Sequence, residues 1–358
     1  MKIGSKDYTR AALNERTGNL AQVGGTRHVI LNEGAAKGMA AIDVNTGGGL
    51  AFTVLPDRGL DISSASYQGL NMAYLTPNGE VHPAFYEPAG LGWLHTFAGG
   101  LLTTCGLTYL GAPGRDGDED LGLHGRYSTI PARQVQDRSR WDGDTYRVEI
   151  VGVVEECRLF GDNLRLTRTI STTFGSRMLR IHDHVENVGF RSSPFTVLYH
   201  INLGFPLLDA GSRLVLSAAK SEANNETARA GLAACRQFTG PVPGFAEEVY
   251  LHTMRAEEGN MACAALINPT LAGGLGVRVR FDAQALPYLN EWKMMGQCDY
   301  VVGIEPCNAP CENRAVLRQR QLLPFLEPGE VREMVVEIGV LEGAAELNAC
   351  AALNMVKP

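Results

Sequence analysis

The stretch Leu164-Arg165-Leu166-Thr167-Arg168-Thr169-Ile170 alternates apolar and polar side chains. This alternation is typical of a half-buried antiparallel strand, because successive side chains point to opposite faces of a sheet. Residues 179–185 repeat the pattern beyond the turn residues Gly175 and Ser176. The two segments are therefore predicted to pair as an antiparallel hairpin.

Further alternating segments, without long helices between them, extend this pattern across the chain. They lie at residues 146–153, 277–281 and 334–340, whereas helical periodicity is confined to short segments at 8–19, 226–235 and 344–353. Consecutive strands of this kind predict an all-β fold, an antiparallel β-sandwich with a few short helices. No linker or repeat divides residues 1–358, so we expect a single domain.

The charge pattern limits the class of partner. The 358 residues carry a net charge of −7, and the basic residues are scattered rather than clustered. We therefore expect no nucleic-acid or membrane partner, and a small molecule is the more suitable ligand. The N-terminal residues lack an apolar leader, and no apolar run is long enough to span a bilayer, so a cytoplasmic protein is expected.

Eight cysteines lie far apart, several in apolar surroundings such as those of Cys105 and Cys263. Spacing of this kind is typical of reduced, buried thiols. Cys307 and Cys311 form one C-x3-C pair, and a single pair does not define a zinc site. We therefore expect neither a metal nor another cofactor.

Two strand-like segments carry side chains suited to acid–base chemistry. In Val301-Val302-Gly303-Ile304-Glu305-Pro306-Cys307-Asn308, an apolar run ends at a carboxylate and a proline. Because an unpaired buried carboxylate is costly, Glu305 is a candidate for function, with a structural ion pair to a nearby arginine as the alternative. In Val197-Leu198-Tyr199-His200-Ile201-Asn202-Leu203-Gly204, His200 and Asn202 fall on one strand face. A core histidine bonded to a carbonyl is the alternative there.

Together with Leu123-His124-Gly125-Arg126 and Leu55-Pro56-Asp57-Arg58-Gly59, these segments resemble the aldose 1-epimerase (galactose mutarotase) superfamily, and more narrowly a bacterial branch of it. The resemblance implies interconversion of sugar anomers on a galactose mutarotase-like supersandwich. In that family a late glutamate is the base and a central-strand histidine is the acid. The resemblance therefore implies that Glu305 and His200 are the catalytic residues.

The resemblance also implies substrate-binding side chains around this pair. Arg58 would donate to adjacent sugar hydroxyls through its planar fork, and His124 would support the ring oxygen. Asn202 follows the catalytic histidine here, whereas in the family the asparagine precedes it. If that segment were extended, Arg126 would face the same side as His124 and could bind a hydroxyl pair or a carboxylate. The alternatives are an exposed loop histidine for His124 and a surface turn for Arg58.

The triplet Glu291-Trp292-Lys293, for which the familiar mutarotases have no match, lies just before the Glu305 segment. Aromatic faces pack on the C–H faces of sugars, and a lysine attracts an acidic group. We therefore expect the triplet to set substrate choice, with Lys293 selecting an acidic sugar. A solvated hairpin turn is the alternative.

Three functions stay open from sequence: anomer interconversion, another sugar isomerase, epimerase or lyase reaction on the same scaffold, and carbohydrate binding without catalysis. A divalent metal held by His124, His200 and Glu305 would favour the second. The sequence identifies neither the sugar nor the oligomeric state, and a homodimer is compatible with it.

Overall fold

Antiparallel strands joined by short turns make up most of the protein. The computed structural model describes residues 1–3 and 6–354. In its first half the strands are β1 Lys2–Ile3, β2 Lys6–Asp7, β3 Gly25–Ile30, β4 Ala40–Asn45, β5 Leu50–Leu55, β6 Asp61–Tyr67, β7 Leu70–Asn71, β8 Thr103–Leu107, β9 Gly114–Asp116, β10 Glu119–Leu121, β11 Arg133–Asp137, β12 Arg140–Asp142, β13 Thr145–Cys157 and β14 Asn163–Thr173.

The second half of the chain also consists mostly of strands. Its strands are β15 Met178–Asn187, β16 Ser193–Pro194, β17 Thr196–Gly204, β18 Arg213–Leu216, β19 Ala218–Ala223, β20 Glu248–Met254, β21 Met261–Asn268, β22 Leu275–Asp282, β23 Tyr288–Met295, β24 Tyr300–Cys307, β25 Phe325–Leu326 and β26 Val331–Glu342.

The helices are short. The α-helices are α1 Arg10–Asn14, α2 Glu226–Gly231, α3 Arg314–Gln319 and α4 Gly343–Asn354. The 3-10 helices are Leu20–Gln22, Gly34–Ala36, Pro56–Arg58, Pro83–Phe85, Gly92–His95, Tyr127–Thr129, Leu232–Ala234, Glu258–Asn260 and Leu271–Gly273. Among the described residues, no helix has the length and apolar character needed to cross a membrane.

Three antiparallel sheets form the framework. The largest has nine strands in the order β11-β13-β14-β15-β26-β22-β21-β18, with β12 also paired to β13. A six-stranded sheet has the order β19-β20-β23-β24-β17-β8, and a five-stranded sheet has the order β3-β4-β5-β6-β7. The predicted all-β antiparallel sandwich is therefore confirmed.

The hairpin predicted from alternation is the pair β14 and β15. Ile170 lies opposite Ile181 in its antiparallel register, and buried and less buried residues alternate along both strands. The N-terminal helix is shorter than the predicted 8–19. It begins after Thr9, whose hydroxyl accepts a hydrogen bond from Ala12 N, and its α-helical part ends at Asn14. Thr17, Gly18 and Asn19 have low helix propensity, which accounts for the failure of the helix to extend to residue 19.

The main core lies between the sheets. It contains Ile170 and Ile181 of the nine-stranded sheet, Ile201 and Ile304 of the six-stranded sheet, and Val54 of the five-stranded sheet. Since side chains alternate along a strand, the neighbours of Ile201 and Ile304 point to the other face of the six-stranded sheet. That outer face carries the candidate site.

Candidate functional site

His200 and Glu305 face each other on adjacent strands. The register of β17 and β24 pairs Ile201 with Ile304 and Leu198 with Cys307, which places His200 opposite Glu305. Both side chains therefore lie on the outer face, and His200 Nε2 is 3.2 Å from Glu305 Oε1. The approach lacks the alignment of a hydrogen bond, since Glu305 Oε1 has no hydrogen-bond partner within the described residues.

Gly303 makes room for the carboxylate. A Cβ at this position would lie 2.3 Å from Glu305 Oε1 and 3.0 Å from Trp292 Cβ. The carboxylate of Glu305 therefore folds back over the strand and lies beside Trp292. Any larger residue at Gly303 would displace it.

Aromatic rings surround His200. Its ring centroid is 5.4 Å from that of Phe97, 5.5 Å from that of Trp292 and 6.5 Å from that of Trp93. The result is that His200 is only 5% and Glu305 only 3% exposed. Such rings exclude water from the pair and offer apolar faces to a ring-shaped ligand.

Trp93 and Phe97 belong to the segment between β7 and β8, which covers the pair. Arg58, which is 4% exposed, donates from Nη1 to Val81 O at 2.9 Å and from Nη2 to Thr96 O at 3.1 Å. Both carbonyls belong to the covering segment. Arg58 therefore holds the backbone of the cover, and its contact with a sugar stays a prediction.

His124 joins the pair from a loop. Its ring centroid lies 5.7 Å from that of His200 and 4.7 Å from that of Trp93. Nδ1 lies 2.7 Å from Leu110 O, so a neutral ring carries its proton on Nδ1 and leaves Nε2 as an acceptor. His124 and Gly125 have φ values of 59° and 73°, a left-handed turn that brings the ring to the site.

Burial controls the ionisation of these groups. It lowers the pKa of His200 to about 3, with a smaller contribution from nearby His124, and it lowers the pKa of His124 to about 4. Burial also raises the pKa of Glu305 well above its usual range, and the negative charges of Glu247 and Glu291 add to this. The pair therefore holds one proton over a wide pH range.

Asn202 supports the strand that carries His200. Its side chain is fully buried, and Nδ2 donates to Gly100 O at 3.1 Å and to His200 O at 3.0 Å. Its Oδ1 is buried with no hydrogen-bond partner in the described part of the chain. The same is true of Asn290 Oδ1, which lies on the same face because Asn290 pairs with Glu305. These orphaned acceptors are suited to a hydroxyl-rich ligand.

The structure divides the triplet at 291–293 between two faces of the sheet. Trp292 lies on the outer face near His200, whereas Glu291 and Lys293 point to the inner face. Glu291 Oε2 is 3.0 Å from His252 Nε2, and Lys293 Nζ is 3.2 Å from Glu248 Oε2. The prediction that Glu291 and Lys293 choose the substrate is wrong, because alternation along β23 sends them away from the site.

Arg126 lies in a neighbouring cleft rather than beside the pair. Its Nε is 3.8 Å from Glu156 Oε1, its Nη2 donates to Cys157 O, and it lines a cavity of about 350 Å³. The prediction that Arg126 faces the same side as His124 required an extended segment. The left-handed turn at His124 and Gly125 instead directs the side chains of His124 and Arg126 apart. Arg126 is therefore not part of the pair's immediate surroundings.

A cavity of about 400 Å³ opens beside the covered pair. Its walls include Phe97 and Trp292, and its polar lining includes Glu247 and Asp299. Sequence reasoning missed Glu247, Phe97 and Tyr74, which also lines this cavity. Phe97 could have been found from its place before Gly99 and Gly100, whereas Glu247 lies in a loop with no periodic signal.

Residues 1–3 and 6–354 contain no group of three or more His, Cys, Asp or Glu side chains arranged to hold a metal ion. His124, His200 and Glu305 lie near one another, yet they do not form such a group. What the arrangement offers chemically is a carboxyl group and an imidazole in a water-poor, aromatic site.

Sequence comparison identifies the family. The family described as "Domain of unknown function (DUF4432)" matches residues 36–340. The chain belongs to this family. A comparison with curated proteins finds no match.

Comparison with solved structures identifies the superfamily. The crystal structure of a proposed aldose 1-epimerase from Klebsiella pneumoniae has 25% sequence identity and a TM-score of 0.87, covering 96% of this chain and 93% of that chain. A galactose mutarotase-like protein from Clostridium acetobutylicum has 15% identity and a TM-score of 0.63, with 90% and 99% covered. Galactose 1-epimerase from Lactobacillus acidophilus has 17% identity and a TM-score of 0.55, with 89% and 99% covered. The resemblance to the aldose 1-epimerase superfamily is confirmed, and the last two likenesses concern the fold alone.

Proposed function

We propose that this protein interconverts the anomers of a free sugar by acid–base catalysis, with Glu305 as the base and His200 as the acid. The observation that supports this most is the 3.2 Å approach of the two side chains on one sheet face, under three aromatic rings. The likeness to a proposed aldose 1-epimerase from Klebsiella pneumoniae supports the same reaction class.

The reaction needs one proton to be removed and another to be supplied. Glu305 would take the proton of the anomeric hydroxyl while His200 gives a proton to the ring oxygen, and the bond between that oxygen and the anomeric carbon breaks. The open-chain aldehyde then rotates about its terminal carbon–carbon bond. Reversal of the two proton transfers closes the ring on the other face, so the pair ends the cycle in its starting state.

Burial prepares the pair for this exchange. Its shifted pKa values favour neutral His200 and protonated Glu305 in the absence of ligand. Passing that proton from Glu305 to His200 gives the carboxylate and imidazolium that the reaction uses. Sugar hydroxyls near the two groups would stabilise these charges, because they replace the hydrogen bonds that burial removes.

The pH dependence follows from the need for one proton on the pair. Below about pH 3 a second proton would bind to His200 and leave no base, whereas above the raised pKa of Glu305 the proton is lost and no acid remains. We expect kcat/KM to stay flat as the pH falls through 6.5, the ordinary pKa of histidine. Polarimetry between pH 5 and pH 8, corrected for the uncatalysed rate, measures this.

A control for this profile is the stability of the fold over the same pH range, followed by circular dichroism. A rate that falls about tenfold per pH unit below 6.5 while the fold is intact would contradict the one-proton assignment, because it would require an ordinary, exposed imidazole.

Gly303→Ala tests whether the position of the carboxylate matters. The new methyl group would overlap Glu305 Oε1, which must swing away because it is the flexible end of its side chain. A displacement of about 1 Å at a reacting group can cost on the order of 100-fold in rate. We expect a loss of about 10- to 100-fold in kcat, measured by exchange NMR, with circular dichroism to confirm that the variant is folded.

The matched control is Gly339→Ala on β26. The nearest atom to its added Cβ would be 3.5 Å away, which is ordinary contact, so both activity and stability should be retained. Equal rates for the two variants would show that the placement of Glu305 over Gly303 has no role in turnover.

The proposed activity itself is tested by exchange NMR on a panel of aldoses, since the two anomers give separate signals. Saturation of one anomer should reduce the signal of the other in proportion to enzyme concentration. Absence of catalysed exchange for every sugar that binds would remove the proposal and favour a binding protein.

A further inference from the structure

The cavity beside the catalytic pair has an unusual distribution of charge. Its volume is about 400 Å³, and Phe97 and Trp292 connect it to His200, with ring centroids 5.4 and 5.5 Å from the imidazole. Glu247 and Asp299 contribute carboxylates to the lining, whereas no lysine or arginine is among the described residues that line it. The cavity is therefore aromatic and negatively charged.

Hydrogen bonds from the aromatic walls hold both carboxylates in place. Trp292 Nε1 donates to Glu247 Oε2 at 3.1 Å, and Tyr74 Oη donates to Asp299 Oδ1 at 3.3 Å. Each carboxylate uses one oxygen in this way and keeps its second oxygen for other partners. Asp299 also raises the pKa of the Tyr74 hydroxyl, after the larger effect of burial, so that hydroxyl remains a donor.

A second observation points to a polar ligand next to this cavity. Glu305 is 3% exposed, and its buried Oε1 has no hydrogen-bond partner among the described residues. This carboxylate and Trp292, a wall of the cavity, both lie within 3.0 Å of the Cβ position at Gly303. His200 Nδ1 is likewise buried without one. Buried acceptors and donors of this kind normally have partners, which a bound ligand can supply.

The cationic side chains that could bind an acidic sugar have other partners. Lys293 is on the inner face with Glu248, Arg58 donates to two backbone carbonyls, and Arg126 lies beside Glu156 in the neighbouring cleft. A phosphate or carboxylate in the cavity would meet Glu247 and Asp299 without a compensating charge. Like charges brought together in this way disfavour binding.

We propose that the cavity recognises an amino sugar, whose protonated amine is bound by Glu247 and Asp299 while its C–H face packs on Trp292 and Phe97. This inference rests on the proposed anomer interconversion and names its substrate class. The rings add to the attraction, since a cation near an aromatic face is stabilised by the ring quadrupole. Neutral sugars bind more weakly in the same place, and sugars bearing a phosphate or carboxylate are excluded.

The test measures binding of matched sugars to the full chain by calorimetry at a pH of about 6.5, where such an amine is still protonated. Glucose, galactose and mannose are each compared with their 2-amino and hexuronate forms. We expect at least one 2-amino sugar to bind about 5- to 10-fold more tightly than its neutral parent, as two partly exposed ion pairs allow. The preference should shrink in high salt.

The variant Glu247→Gln/Asp299→Asn keeps the hydrogen bonds to Trp292 and Tyr74 but removes both charges. It should reduce the preference for the amine to less than about twofold, because the ion pairs are gone. The control Glu15→Gln/Asp142→Asn removes two exposed charges that do not line the cavity, and it should keep the preference.

Each outcome has a distinct meaning. If the hexuronates bind as tightly as the amines, or if the charge-removing variant keeps the preference, the amino-sugar inference is overturned, while catalysed exchange of any sugar leaves the proposed function intact. If no sugar is bound or interconverted, the proposed function fails and the inference falls with it.

Discussion

Glu305→Gln is expected to lower kcat for anomer interconversion by about 10²- to 10⁴-fold, the usual contribution of a positioned acid–base group. The amide keeps the size of the side chain but cannot accept a proton from the anomeric hydroxyl. The fold should be retained, because Glu305 Oε1 has no hydrogen bond to lose within the described residues. Exchange NMR gives the rate, and thermal unfolding monitors the fold.

Glu291→Gln is the matched control. Glu291 is also fully buried and lies on the strand next to β24, yet its side chain faces inward and Oε2 is 3.0 Å from His252 Nε2. The glutamine can still accept a hydrogen bond from this imidazole, so kcat should change by less than about tenfold. A similar loss for both variants, or an unchanged rate for Glu305→Gln, would remove Glu305 from the role of base.

The main features of this site were accessible from sequence because they depend on alternation along strands. Once residues 197–204 and 301–308 are read as strands, His200 and Asn202 share a face, and the apolar neighbours of Glu305 place it opposite the core. The structure agrees, since Ile201 and Ile304 are both in the main core. No single segment shows which strands are neighbours in the sheet. The expectation that His200 and Glu305 lie together came from the resemblance to the aldose 1-epimerase superfamily.

The same rule explains the error at 291–293. Alternation requires Trp292 to face away from Glu291 and Lys293, so the three side chains cannot act on one ligand if they lie within a strand. A solvated hairpin turn was the alternative for this segment. The pairing of Trp292 with Gly303 shows instead that the triplet is in the middle of β23.

Other parts of the site had no periodic signal. The left-handed turn of His124 and Gly125 depends on tertiary contacts, since a Cβ at Gly125 would lie 2.2 Å from Tyr109 O. The covering segment that contributes Trp93 and Phe97 has irregular structure, and its position depends on long-range bonds from Arg58. Local propensity does not determine contacts of this kind.

A buried charged network behind β17 is expected to make the fold sensitive to the loss of one of its charges. Arg168 is fully buried and donates to both carboxylate oxygens of Asp183, at 2.9 and 2.7 Å. It also donates to Asp61 Oδ1 at 3.1 Å and to Thr104 Oγ1 at 3.0 Å, while Tyr199 Oη donates to Asp183 Oδ2 at 2.7 Å. These residues come from all three sheets.

Asp183→Asn should lower the free energy of unfolding by about 3–5 kcal/mol, the usual cost of removing one partner from a buried ion pair. The asparagine cannot accept both guanidinium hydrogen bonds together with the hydroxyl of Tyr199, because its amide nitrogen is a donor. Arg168 is then left in the core with Asp61 as its remaining carboxylate. Urea unfolding with linear extrapolation measures the change.

Asp142→Asn makes the same substitution in an exposed pair, in which Arg147 Nε lies 2.9 Å from Asp142 Oδ2. Its expected cost is below about 1 kcal/mol, because water screens the two charges. The distances in the two pairs are similar, so a difference between the variants reports burial rather than geometry. If both variants lost the same small amount, the network would be no stronger than a surface pair. Tyr199 precedes His200 on β17, so its hydrogen bond to Asp183 ties this network to the strand from which the His200 imidazole projects.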